Sequence, residues 1–316
     1  MLRLLAPAKI NLALDVLGRR ADGYHQVVMV MQTISLVDTV TVTVNEGDTA
    51  IRLAGGTEEA PPDRDNLVYR AAHLLSEAAG LSCGVQIHLE KVIPVAAGLA
   101  GGSSDAAATV KAMNRLFGLR WSDIDMEALL ARLGSDIPFL VRGGTALATG
   151  RGEIVHRLPP APNFWVVLVK PPFGASTPQV YKALGAPALP EPLPWPEAMT
   201  PETTPTGTAS QRVMAALQAG DYGALLAALG NDLEQVTLEW HPVLKEIKGQ
   251  LERLGCDRAL MSGSGPTILG FTASEATARS VAAAMNEQWG PQQYRVLTAR
   301  TLEREEADEW SADCCR

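Results

Sequence analysis

The sequence predicts an α+β protein of two domains, and three observations predict it. Apolar residues alternate with polar ones at both ends of the chain. Segments of helical periodicity lie between these strand-like runs. Three prolines at 159, 160 and 162 interrupt the pattern near mid-chain. With 316 residues the chain has room for two domains, on a prior of ~150 residues each. The boundary is placed at 160, dividing 1–160 from 161–302 and leaving 303–316 as an acidic, poorly ordered tail.

Residues 8–17 open the first domain. Ala8, Ile10, Leu12, Leu14 and Val16 fall on one face, and Lys9, Asn11, Ala13 and Asp15 on the other, the period-two pattern of a strand. A turn at 21–23 leads to two further strands over 27–36 and 38–45, the second an alternation of Thr and Val. Leu67, Ala71, Leu74 and Leu75 mark a helix over 65–79, with Gly80 as its C-terminal cap. A strand at 85–89 enters a Gly-rich loop at 94–102, followed by an Ala-rich helix over 103–117, a helix over 122–133 and a strand over 145–149. In the second domain a buried strand is expected over 164–169. Seven prolines between 185 and 206 predict an extended surface insertion without regular structure. Helices follow at 207–219, 221–229 and 241–254, then strand 258–261, a tight loop at 262–266, strand 267–271, helix 274–288 and strand 293–299.

Composition narrows the function classes. Hydrophobic residues make up 47% and charged residues 20%, enough to bury a core. A net charge of −8 argues against a nucleic-acid backbone as partner, but not against a nucleotide held by one local loop. Cys83, Cys256, Cys314 and Cys315 form no CxxC pair, so neither a disulfide framework nor a zinc site is expected. No signal peptide is visible, and no apolar run approaches the ~20 residues that span a bilayer. A cytoplasmic protein with no membrane partner is expected.

Five segments carry candidate chemistry. The first is Pro94, Val95, Ala96, Ala97, Gly98, Leu99, Ala100, Gly101, Gly102, Ser103 and Ser104, between a strand and a helix. Glycines let backbone N–H groups converge on an anion, and the helix that follows offers unpaired N–H groups and a positive dipole end. Ser103 and Ser104 can add hydroxyls to phosphate or Mg2+. The loop is neither the GxxxxGK[ST] nor the GxGxxG type, and taken alone it is equally an ordinary loop before a helix. The second is Asp136 in Leu-Gly-Ser-Asp-Ile-Pro-Phe at 133–139, a turn residue or a rigidly held general base. The third is Lys9 beside Asn11, a solvated strand face or a cation that meets developing charge. The fourth, Gly23-Tyr24-His25, is a hairpin turn or a flat base-reading pocket, and the fifth, 261–267, is a tight turn or a second anion-facing loop. No metal-site spacing is found.

In this order, over residues 6–298, these segments resemble the GHMP kinase superfamily, named for galactokinase, homoserine kinase, mevalonate kinase and phosphomevalonate kinase. The resemblance implies an N-terminal domain of mixed sheet and helix, and a C-terminal ferredoxin-like α/β sandwich. It implies a small-molecule kinase with ATP as co-substrate, Mg2+ accompanying it, and Pro94 to Ser104 at the ATP phosphates. Asp136 matches the family's base and Lys9 the cation that assists it. The opening segment and 133–139 together resemble the branch acting on a cytidine-diphosphate-linked methylerythritol. There Asn11 matches a residue near the substrate hydroxyl, Tyr24 and His25 residues that read cytosine, and Tyr181 an aromatic that stacks on it. A monomer or weak homodimer is implied. The proline-rich stretch is longer than the family pattern requires.

Overall fold

The structure, a computed structural model, describes residues 1–45, 47–57, 63–196 and 198–303. The tail expected at 303–316, with Cys314 and Cys315, lies outside the described residues from 304 onward.

The chain opens with two long antiparallel strands, β1 (Leu2–Arg19) and β2 (His25–Asn45). They are flanked by β3 (Ile51–Gly55), helix α1 (Leu67–Ala79) and β4 (Gly84–Glu90). The Gly-rich loop then feeds α2 (Gly101–Leu116), followed by α3 (Asp123–Leu130), α4 (Ile137–Arg142), β5 (Thr145–Thr149) and β6 (Ile154–Arg157). After β7 (Trp165–Lys170) come α5 (Thr177–Leu184), α6 (Ala209–Ala219), α7 (Tyr222–Ala228), β8 (Gly230–Asn231), α8 (Glu234–Trp240) and α9 (Val243–Arg253). The chain closes with β9 (Arg258–Met261), β10 (Ile268–Thr272), α10 (Glu275–Trp289) and β11 (Arg295–Arg300).

Two sheets organise these elements. A mixed seven-stranded sheet runs β3-β4-β2-β1-β8, with β5 and β6 branching from β2. A four-stranded antiparallel sheet runs β11-β7-β10-β9. That second order is the ferredoxin-like 4-1-3-2 arrangement, in agreement with the expected α+β class.

Several sequence expectations change. The strands expected at 27–36 and 38–45 are one continuous strand. Asp38 is fully buried within it, because Lys91 and the backbone N–H groups of Val92 and Ile93 satisfy its carboxylate. α2 begins at Gly101 rather than 103, with Ala100 in the left-handed region as its cap. β3, β6 and helices α4, α5 and α8 were not anticipated. Among its described residues the proline-rich segment has no helix or strand, but it is not confined to the surface. Met199 is fully buried, and the backbone around Ala188 bridges to Arg19 at the end of β1.

β1 explains how a polar pair comes to face a cleft. Its pairing with β2 slips between Pro7 and Lys9 and again between Asn11 and Ala13. Leu4, Ala6 and Leu14, outside the slips, join one apolar cluster, whereas Ala8, Ile10 and Leu12 between them join another. A one-residue slip turns every following side chain to the other face. Lys9 and Asn11 therefore point to the side that apolar residues occupy before and after them. They are 4% and 0% exposed, so the polar face is not solvated.

Candidate active site

A cavity of about 970 Å³ lies between β1, the Gly-rich loop, α4 and α5. Its volume is at the upper end for small-molecule sites.

At one end is the Gly-rich loop. Ala96, Gly98 and Ala100 alternate through positive φ, at 50°, 76° and 56°. Such alternation turns successive N–H groups toward one concave side. Gly98 is required here, since a Cβ would clash with the Ser262 carbonyl oxygen. The Ser262 hydroxyl donates to Gly98 O at 3.0 Å, and the Lys9 N–H donates to Leu99 O at 3.1 Å. α2 has no side-chain cap, so the N–H groups of its first turn remain open. Pro94 to Gly98, Ala100, Gly101, Gly102 and Ser103 line the cavity. Leu99 and Ser104 do not. The Leu99 side chain is core, and the Ser104 hydroxyl donates to Pro7 O at 2.7 Å.

In the middle stand the polar pair of β1 and the N-terminus of α4. The Lys9 ammonium donates to Asn11 Oδ1 at 2.8 Å and lies 3.5 Å from Asp136 Oδ2. Asp136 precedes α4, whose first turn is fixed by Pro138, and its carboxylate makes no capping bond. It is a third exposed whereas Lys9 is buried. The Asn11 amide reaches Met29 Sδ at 3.5 Å. Gly263, from the loop between β9 and β10, also borders this group, so the fifth segment of the sequence reaches the site.

At the far end the His25 and Tyr181 rings meet with centroids 5.0 Å apart and planes at 34°. Burial and then the Arg19 guanidinium lower the His25 pKa from its ordinary value. That favours the neutral ring, which offers one donor and one acceptor. Burial, then Asp136 and Asp232, push the Tyr181 phenol upward, so it remains a hydrogen-bond donor at neutral pH. Tyr24 is 55% exposed at the rim, with the Arg151 guanidinium 4.7 Å over its ring. Tyr181 rides on α5, whose Thr177 hydroxyl shares a 2.7 Å hydrogen bond with Ser264. The structure thus gathers Lys9, Asn11, Tyr24, His25, Asp136 and Tyr181 around one cavity.

Sequence reasoning missed a second ionic group on this cavity. Lys91 contacts Asp38 and lies 2.6 Å from Asp105 Oδ2, with all three side chains almost wholly buried. Burial foremost, and the Asp38 carboxylate against the pull of Lys91, raise Asp105 to about 7. Asp105 Oδ1 is buried without a hydrogen-bond partner. The Lys91 pKa is raised: burial opposes this, but Asp105 and Asp38 outweigh it. A lone Lys before Ile-Pro and an Asp inside an Ala-rich helix carry no spacing signal. Among the described residues no three His, Cys, Asp or Glu side chains gather as a metal site, and no helix is long and apolar enough to cross a membrane.

A glycine cradle at a helix N-terminus, beside a Lys–Asp pair in one cavity of this two-sheet fold, defines a GHMP-type kinase, and the chain belongs to the GHMP kinase family. The model of the GHMP kinases N terminal domain matches residues 66–144, and that of the GHMP kinases C terminal domain matches 213–291. The chain is 86% identical over 315 residues to the 4-diphosphocytidyl-2-C-methyl-D-erythritol kinase of Heliobacterium modesticaldum, covering 100% of both chains. Against the protein of the same name from Pelotomaculum thermopropionicum it is 47% identical, covering 94% of this chain and 97% of the other. A crystal structure of 4-(cytidine 5'-diphospho)-2C-methyl-D-erythritol kinase aligns with a TM-score of 0.75 at 34% identity, over 95% of this chain and 99% of that one. L. major mevalonate kinase aligns with a TM-score of 0.71 at 15% identity, over 96% of both chains, and shares the fold.

Proposed function

We propose that this kinase transfers the γ-phosphoryl group of ATP to the 2-hydroxyl of 4-diphosphocytidyl-2-C-methyl-D-erythritol, a step in non-mevalonate isoprenoid precursor synthesis. The observation that carries the reading is the Lys9–Asp136 pair, 3.5 Å apart between a glycine cradle and a pair of tilted rings in contact. The relatives named above supply the substrate.

Phosphoryl transfer asks the protein mainly for position and charge. In this reading the loop N–H groups of 95–103 hold the ATP phosphates, with Mg2+ bound to the nucleotide as part of that substrate. Asn11 orients the acceptor hydroxyl. Asp136 takes the hydroxyl proton as the oxygen bonds to the γ-phosphorus and the bond to the ADP oxygen breaks. The Lys9 ammonium balances charge on the transferring group. Neutral His25 meets the donor and acceptor edge of cytosine, and Tyr181 and Tyr24 offer the base their ring faces.

Turnover assays with the cytidylyl substrate, mevalonate and homoserine test the reading. Phosphorylation of the first alone is expected. No product from the first would overturn it. A sensor on the same scaffold would bind ATP without turning over any alcohol.

A further inference from the structure

Arg151 has no part in the chemistry described so far, yet its position is specific. The backbone of Gly150 accepts the Val27 N–H at 2.9 Å, which sets Arg151 against β2 at the level of Val27. Along β2, His25 belongs to the aromatic end of the cavity, and Met29, touching Asn11, belongs to the Lys9 centre. Arg151 therefore enters the cavity between the two ends.

Its guanidinium is only partly committed. Nε donates to Glu153 Oε1 at 3.2 Å, and Cζ lies 4.7 Å from the Tyr24 ring centroid. Among the described residues its two terminal amino groups make no hydrogen bond or ion pair. The backbone N–H of Arg151 also donates to Glu153, at 2.6 Å, so one carboxylate fixes both chain and side chain. Two further cations line the same end. Arg19, the cross-strand partner of His25, forms no ion pair among the described residues, and Lys182 follows Tyr181. Each ring of the aromatic end thus brings a cation, in a protein of net charge −8.

We propose that Arg151, flanked by Arg19, grips the diphosphate linker of the substrate and so selects nucleoside diphosphate-linked alcohols over short free alcohols. The inference rests on the function proposed above, because a base bound at His25 and a hydroxyl at Lys9 leave the linker at Arg151. A planar guanidinium with free amino groups suits two phosphate oxygens. Its resting place on Tyr24 keeps it extended before the ligand arrives, which lowers the ordering cost of binding.

The test is competitive inhibition of the full-length enzyme by CDP and by cytidine, with Arg151→Gln and Arg19→Gln. CDP is expected to inhibit the wild type more strongly than cytidine does. In Arg151→Gln that preference should shrink by ~10-fold or more, in line with the loss of one charge-assisted contact. Cytidine inhibition and the ATP KM should stay unchanged, and the KM for the cytidylyl substrate should rise with kcat within a few-fold. Arg151→Lys should restore part of the preference. An unchanged CDP-to-cytidine preference in Arg151→Gln would overturn the linker role while leaving the base pocket intact. Wild-type enzyme that both compounds fail to inhibit would overturn the base reading and the linker role together. A purely structural role for Arg151 predicts equal weakening of cytidine and CDP, and that result also refutes the proposal.

Discussion

Two lysine–aspartate groups line the same cavity and are built in opposite ways. Lys91 is closed on Asp105 at 2.6 Å and on Asp38, with every partner sealed from solvent. Lys9 and Asp136 stop at 3.5 Å, and the carboxylate is a third exposed. The first group holds the backbone entering the Gly-rich loop, since Asp38 also accepts the Val92 and Ile93 N–H groups at 2.5 and 2.8 Å. The second leaves its carboxylate without a capping bond, open to a ligand. The same residue types form a sealed clamp in one place, and in the other keep a carboxylate open to the cavity, as the proposed chemistry requires.

The contrast predicts separable losses. Asp136→Asn should lower kcat by ~10²–10⁴-fold, the range of a general base, with the ATP Kd and the urea midpoint nearly unchanged. A kcat within threefold of wild type would remove Asp136 from proton transfer. Lys91→Met should do the reverse. Leaving two buried carboxylates without their cation should cost about 3–5 kcal/mol of stability in urea titration, and a midpoint equal to wild type would show that the clamp carries no structural weight.

Gly98→Ala tests the bracket between loop and core. The clash with the Ser262 carbonyl, at a positive φ, should raise the ATP KM by ~10-fold or more while sparing the cytidylyl KM, at a strain cost of about 1–3 kcal/mol. Equal effects on both substrates would argue against a nucleotide-specific loop. His25→Ala should raise the cytidylyl KM by roughly 10-fold, as expected for lost base contacts, with the ATP KM unmoved.

The smallest effect is a slope. Asp105 titrates near 7 in the folded protein, above its unfolded carboxylate value, because burial disfavours its charge. The folded state therefore binds more protons than the unfolded state between about pH 4 and 7. Its contribution to stability is complete below that window and is lost as pH rises through 7. Asp105→Asn should flatten this decline in urea titrations from pH 5 to 8, and an unaltered slope would assign the decline to other groups.

How much of this was legible in the sequence depended on whether the signal was local. The alternation around Lys9 and Asn11, the glycines at 98, 101 and 102, and the rigid turn at Asp136 are contiguous patterns with local physical causes. The bulges that reverse β1 leave no mark, because they are a property of pairing with β2. Asp38 is buried within β2 by a lysine 53 residues away, a partner that no local pattern reveals. Arg151, in a Gly-flanked turn after a strand, gives no local signal, and Tyr181 enters only through the family resemblance, because it lies on a short helix with a single fully buried residue. Ser104 has the residue type of a phosphate ligand, but helix geometry turns its hydroxyl to Pro7.

The hydrogen bonds from Lys9 N–H to Leu99 O and from Ser104 to Pro7 O stitch the cradle to the strand that bears the ammonium. The Gly-rich loop and the Lys9 ammonium are thus mounted on one bracket. A displacement of β1 would carry both and leave their mutual spacing unchanged.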